Sequence, residues 1–231
     1  RLGPSGTGKT LLAQTLAKML NPNIKVIGVE PSGAACLSAS LKAGHVVTLP
    51  TVSTIADGTA VKTPGEHVFP YLQKNIDEVI TVDDDELIVA FLDMVENHKM
   101  IVENSGLLTV AALRHLKVRD KRVVSVLSGG NMDVITMSSV VQRGLIQRDR
   151  IFTFSVMLPD KPGSLVKVAT AIAQAQGNVI RLAHNQFVTT NRSAAVKLTI
   201  TLEAFGTEHK EMILKKVREA GFEPKMEDAA L

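Results

Sequence analysis

The sequence predicts an α/β protein in two parts, a partial doubly wound parallel sheet followed by a smaller ferredoxin-like module of order βαββαβ. Three observations point there. Short β-branched runs alternate with helical periods as far as about residue 141. From residue 151 the pattern becomes apolar–polar alternation, the period of a half-exposed strand. The chain has 231 residues, 45% apolar and 21% charged, which gives material for two modest cores and argues against disorder.

Taken in order, residues 10–20 (TLLAQTLAKML) place Leu, Ala and Met at helical spacing, and Asn21-Pro22-Asn23 stops that helix. Lys25 to Val29 is a short buried strand. A helix from Ala34 to Ala43 closes at Gly44, and residues 46–65 form a loop with a brief strand. Glu78 to Val82 is a strand, and Asp83-Asp84-Asp85 supplies an N-cap and acidic first turn for a helix reaching about Asn97. A helix from Gly106 to Leu116 precedes a further buried strand, Arg122 to Leu127, which ends in Ser128-Gly129-Gly130-Asn131. Open parallel sheets bind ligands at the carboxyl ends of their strands, where this loop would lie. Residues 142–150 are polar and expected to be a linker. Beyond it come strands at 151–156, 178–185 and 194–203, helices at 164–176 and 208–220 (closed by Gly221), and a last strand near 222–225.

The formal charge of +3 is too small to imply nucleic acid, and the basic run from Arg114 to Arg122 lacks aromatic partners, as a solvated surface does. No stretch approaches the roughly 18 apolar residues of a membrane span. With Cys36 as the single cysteine, no intrachain disulfide can form, and the cytoplasm is the expected compartment. The start at Arg1, with no leader, is expected to be a cut within something longer.

Gly3-Pro4-Ser5-Gly6-Thr7-Gly8-Lys9-Thr10 satisfies G-x-x-x-x-G-K-[ST]. In such a loop backbone N–H groups cradle phosphate, the lysine (Lys9) neutralises the outer phosphates of ATP, and the hydroxyl (Thr10) holds magnesium. With the helix after it, the segment resembles the Walker A region of Clp-type AAA+ unfoldases. The surrounding signals are missing: only Arg1 and Leu2 precede the loop, and no apolar strand ends in Asp or Asp-Glu.

Residues 21–133 carry NPNIKVIGVEP (21–31), TIADGTAVKTPG (54–65), IDEVITVDDDEL (76–87), IVENSG (101–106) and VVSVLSGGNMD (123–133). In order and spacing these resemble the C-terminal half of the catalytic domain of threonine dehydratases (threonine ammonia-lyases). Those are pyridoxal-phosphate enzymes of fold type II, in the same broad group as serine racemase. The resemblance implies that Ser128, opening S-G-G-N with Gly129, Gly130 and Asn131, hydrogen-bonds the pyridine nitrogen of pyridoxal 5'-phosphate. It implies that Glu103 lies near the cofactor ring and that Asp57-Gly58 borders the substrate side. Some relatives bind a cation through the glutamate matching Glu30, a backbone carbonyl (here Ala34) and an aspartate whose place Cys36 takes, so a magnesium or calcium site loses one hard ligand.

In that family the Schiff-base lysine sits in a Ser-x-Lys motif upstream of the region resembled here, and this chain has no equivalent. The 231 residues alone are therefore expected to be inactive. The family's phosphate loop, G-G-G-G-L, opens the helix that ends at Asn-Pro, and Gly6 and Gly8 occupy that slot. A chimeric chain is one reading of the join between residues 1–20 and 21–141.

Asp160-Lys161-Pro162-Gly163-Ser164-Leu165 spells D-x-P-G-x-L. Pro162 and Gly163 favour a tight strand-to-helix turn, and the helix beginning near Ser164 offers free N–H groups to a carboxylate. Residues 151–231 resemble an ACT regulatory domain. The resemblance implies side-by-side pairing into a homo-oligomer and an amino-acid effector bound at the shared interface. Isoleucine or valine is the usual effector of threonine dehydratases, and Asn178 faces the glycine turn from the next strand. The leading expectation is a threonine ammonia-lyase region, giving 2-oxobutanoate and ammonia from threonine, with an ACT sensor. The competing readings are a non-enzymatic amino-acid-binding or dimerisation module and a P-loop ATPase segment.

Overall fold

The computed structural model describes residues 9–185 and 196–228, with side chains over 15–184 and 196–228. Gly3, Gly6 and Gly8, and the side chains of Lys9 and Thr10, lie outside the described residues. The chain divides into two compact units, residues 1–141 and 142–231.

In the first unit, helix α1 (Lys9–Leu20) ends where Asn21 N–H bonds to Ala17 O, and Lys18 pairs with Asp77 at 2.7 Å. Strands β1 (Ile27–Pro31) and β2 (Glu78–Val82) pair in parallel, Val29 opposite Ile80. Between them lie α2 (Cys36–Ala43), closed by Gly44 at φ 77°, and α3 (Phe69–Asn75). Residues 46–65 form no strand. Single contacts, Leu49 N–H to Lys62 O and Thr63 to Thr48, tie their two limbs together. Helix α4 (Asp84–Asp93) carries a capping box, with Asp83 N–H donating to Glu86 Oε2 at 2.9 Å, and finishes in a wider turn over Met94–His98. Helix α5 (Asn104–Ala111) packs on α4, and the core is built around Leu87, Ile88, Phe91, Leu107 and Leu108.

Residues 122–127 are not a strand: among the described residues no neighbour supplies a ladder, and Val124 is 87% exposed. The segment instead runs along α5, where Thr109 Oγ1 donates to Val126 O and Ser125 Oγ donates to Thr109 O. β propensity marks a half-buried pleat, and without a partner strand it does not make one. Residues 142–147 are not irregular but form the end of helix α6 (Val134–Gln147); Gln142 and Arg143 are exposed, so the polarity marks a helix face. Asp133 starts that helix by accepting from the N–H groups of Ile135 and Thr136.

The second unit follows the order β3 (Ile151–Leu158), α7 (Ser164–Gln174), β4 (Asn178–Asn185), β5 (Val196–Glu203), α8 (Thr207–Glu219), β6 (Lys225–Glu227). Its sheet is antiparallel with spatial order β4-β5-β3-β6, so each helix carries the chain past a neighbouring strand. Alternation along β3 sends Phe152, Phe154, Val156 and Leu158 into one core with Leu198, Ile200 and Leu202 of β5. Val168 and Ile172 of α7 and Ile213, Leu214 and Val217 of α8 close it. Among the described residues, no helix is long and apolar enough to cross a membrane.

Candidate functional site

Glu103 precedes α5 in extended conformation, φ −63° and ψ 154°, and its side chain does not cap the helix. Its carboxylate turns instead to the glycine loop, where Asn131 N–H donates to Glu103 Oε2 at 3.0 Å. The backbones meet as well, Glu103 N–H donating to Gly129 O at 3.3 Å. Glycine is required for this approach: a Cβ on Gly129 would stand 2.0 Å from Glu103 Oε1, and one on Gly106 would stand 3.1 Å from Gly129 N and O. On the other side, a Cβ on Gly58 would stand 2.9 Å from Ser105 Oγ and 3.8 Å from Glu103 Oε1. The structure thus gathers Glu103, the Ser128–Asn131 loop and Gly58 around the start of α5, although they are spread over more than 70 positions of sequence.

Sequence reasoning missed Asn104, Ser105 and Asp84. Asp84 accepts from Thr54 Oγ1 at 2.6 Å and Ile55 N–H at 3.0 Å, while Asn104 Nδ2 donates to Ile55 O at 3.0 Å. The signals were local: Asp84 lies in the acidic start of a helix, which capping accounted for, and Asn104 and Ser105 lie in the motif IVENSG beside Glu103.

Glu30 is buried and gives both carboxylate oxygens to α2, accepting from Leu37 N–H at 3.0 Å and Ser38 N–H at 2.7 Å. A cation at Glu30 and Ala34 would share the carboxylate with these amides. Burial, then the charge of Glu30, pushes the Cys36 thiol up. Ser40-Leu41-Lys42 spells Ser-x-Lys, but buried Ser40 Oγ donates to Cys36 O within α2 and accepts from Val47 N–H in the loop beyond it.

In the second unit Gly163 takes φ 87°, in the left-handed region, with nothing within 4 Å of the place of a Cβ. The turn Asp160–Gly163 is exposed, and no side chain caps the start of α7. Asn178 is placed differently from expectation within one chain. It pairs with Glu203, opposite Ile151 at the start of β3, and its Nδ2 donates to Glu203 Oε2 at 3.0 Å. The glycine turn follows Leu158 at the other end of β3, about 23 Å away at the rise of an extended strand.

The donor set around α5 suits the ring edge of pyridoxal phosphate: a neutral hydroxyl at Ser128, one carboxylate at Glu103, and backbone left bare by glycines 58, 106 and 129. Residues 2–129 match the family model described as pyridoxal-phosphate dependent enzyme. The chain is 36% identical to an L-threonine ammonia-lyase of Geobacter sulfurreducens, covering 96% of this chain and 56% of that protein. It is 32% identical to an L-threonine ammonia-lyase of Thermotoga maritima, over 95% of this chain and 55% of that protein. The chain thus spans about half the length of these relatives. Among solved structures, threonine deaminase isoform 2 from Solanum lycopersicum matches with TM-score 0.55 and 36% identity over 60% of this chain and 41% of that one. Maize serine racemase matches with TM-score 0.52 and 32% identity, over 60% of this chain and 45% of that one. Sequence and fold agree: this chain belongs to the family of pyridoxal-phosphate dependent enzymes.

Proposed function

We propose that the chain serves a threonine ammonia-lyase, which eliminates water and then ammonia from threonine to give 2-oxobutanoate, and that residues 151–231 are an ACT module sensing a branched-chain amino acid. The observation that carries the first half is the convergence of Glu103, Ser128–Asn131 and Gly58 at the start of α5, in a chain whose relatives include L-threonine ammonia-lyases. Bound pyridoxal phosphate supplies an electron sink for the carbon bearing the amino group. Ser128 offers the ring nitrogen a neutral hydroxyl, and Glu103, fixed by Asn131 N–H, sets one wall of the ring site. No lysine of this chain matches the family's Schiff-base lysine, so catalysis is not assigned to these residues alone. The family match beginning at residue 2 supports reading the loop Gly3 to Gly8 as the cofactor's phosphate loop, ahead of ATP or a chimeric join.

The sheet order β4-β5-β3-β6 and the left-handed Gly163 support the ACT reading. β4 is an edge strand exposing Val179, Ile180 and Leu182. Antiparallel pairing of two β4 edges would bring one copy's Asn178 to the sheet end that carries the other copy's glycine turn, joining what one chain keeps apart. Such a site would have the N–H groups of α7 for the effector carboxylate and requires the homo-oligomer.

Two titrations test this. Pyridoxal phosphate should protect the amides of residues 128–131 from hydrogen exchange, and Ser128→Ala should weaken binding. Isoleucine or valine should raise the melting temperature of the second unit, and Gly163→Val should abolish that rise, whereas Gly163→Asn, tolerant of left-handed backbone, should keep part of it. No protection by the cofactor, or no stabilisation by either amino acid, overturns the corresponding half.

A further inference from the structure

Asn104 is 6% exposed, and its Oδ1 is buried without a hydrogen-bond partner. A buried orphan acceptor forfeits its hydration with nothing in return, so packing alone would favour a leucine here. What Asn104 does with its amide is donate to Ile55 O at 3.0 Å. On the opposite side of the same residue, Ile55 N–H donates to Asp84 Oδ2 at 3.0 Å, and Asp84 Oδ1 takes the neighbouring Thr54 hydroxyl at 2.6 Å. Both holders are the first residues of their helices, α4 and α5, which pack on each other in the core. The segment they hold is otherwise irregular. After Ala56, which is fully buried, it makes one short turn over Asp57–Thr59, closed by Thr59 N–H and Ala60 N–H on Ala56 O and Asp57 O. That turn brings Gly58 onto Ser105 Oγ and beside Glu103 Oε1.

We propose that Asn104 and Asp84 are positioning residues that grip Ile55 by its carbonyl and its N–H and so hold the Asp57–Gly58 turn against Glu103 and Ser105. A loop with few backbone bonds of its own keeps its place only if rigid elements hold it, and two helix starts anchored in one core do so at a single residue. The energetic cost sits at Asn104 and the benefit at Gly58, which explains an amide where an apolar side chain would cost less. The link to cofactor binding rests on the pyridoxal-phosphate reading of Glu103, and the grip itself does not.

The test uses the full chain and Asn104→Leu, which removes the donor and the orphan acceptor together, so that overall stability changes little. Residue-resolved hydrogen exchange should show the amides of Ile55, Thr59 and Ala60 exchanging about tenfold faster, with Leu87 in α4 and Leu107 in α5 within about twofold of wild type. Unchanged rates at the three loop amides, or equal acceleration in the helices, overturns the proposal. Should Asn104→Leu not fold, Asn104→Ser removes the amide while suiting a helix start, and the same readings apply. Pyridoxal phosphate, followed by protection of residues 128–131, should bind the variant at least threefold more weakly than wild type, and equal affinity overturns the positioning role. If wild type itself shows no protection, the cofactor reading fails, and the grip is decided by the exchange rates alone.

Discussion

Placing a methyl group on Gly129 probes the centre of the candidate site. Gly129 has no positive φ, so alanine meets no backbone strain and the whole effect is contact. Its Cβ would stand 2.0 Å from Glu103 Oε1 and 2.2 Å from Cδ, where real Cβ atoms keep at least 3.0 Å, so the carboxylate has to move by about 1 Å or more. A glutamate side chain can swing away, so the cost is the bond it forfeits, the N–H of Asn131 to Oε2. Hydrogen bonds to charged groups contribute about 1.5–3 kcal/mol, and the half-exposed setting argues for the lower end, about 1.5 kcal/mol. Urea unfolding followed through Tyr71 reports the first unit, because the chain has a single tyrosine and no tryptophan. The midpoint should fall by roughly 0.5–1.5 M for an m-value in the usual range. In a Glu103→Ala background the same substitution should cost under about 0.5 kcal/mol, because the group in the way is gone. Equal costs in the two backgrounds would refute the reasoning, and so would no cost in the parent chain. Gly33→Ala is the internal contrast. Its Cβ would stand 1.8 Å from the backbone oxygen of Ser53, which cannot swing aside, so the loss should exceed about 3 kcal/mol with no side-chain rescue.

Two further outcomes concern the second unit. The Lys210 ammonium, then the Thr207 hydroxyl, hold the Asp149 carboxyl below its ordinary range. A depressed pKa stabilises the fold above the unfolded value near 3.9 and stops doing so as pH falls through the folded value. Asp149→Asn should therefore cost about 1 kcal/mol at neutral pH, and its melting temperature should converge with that of wild type once the pH has fallen through the folded value of Asp149. A gap that persists at low pH would mean the aspartate acts by packing. His209 accepts from Phe205 N–H at 3.0 Å, and its other ring nitrogen lies 2.7 Å from Ala175 O, so the imidazole ties the end of α7 to the start of α8. His209→Ala should destabilise this unit by about 1–2 kcal/mol and speed exchange at the Phe205 amide, and an unchanged rate there would count against the tie.

The comparison of sequence with structure is uneven in an instructive way. Elements whose side chains alternate against their own core, such as β3 and β5, and helices with a left-handed residue at an end, such as α2 at Gly44 and α7 at Gly163, were legible within a few residues. The failures share a cause. Residues 122–127 have the β-branched content of a buried strand, but a strand exists only through a partner, and here the segment bonds to Thr109 of α5. The polar residues at 142–147 looked irregular because polarity alone cannot separate a loop from the wet face of a helix. At the site, S-G-G-N, the glutamate and the glycine near 58 were visible as motifs. Asn104 stood in the motif IVENSG, but its role was not legible, because its partner Ile55 lies 49 positions away in sequence.

What the sequence determined by itself was the local chemistry: turn and cap residues, the period of each element, and the family motifs, all properties of neighbours along the chain. The tertiary structure decided which distant groups meet. It brought the Glu30 carboxylate onto the N–H groups of Leu37 and Ser38 in α2. It set Asn178 at the far end of the sheet from Gly163, and it suspended the Gly58 turn from the starts of two helices. Those outcomes depend on strand register and helix packing, which arise from the sum of many weak contacts and leave no mark at any one residue.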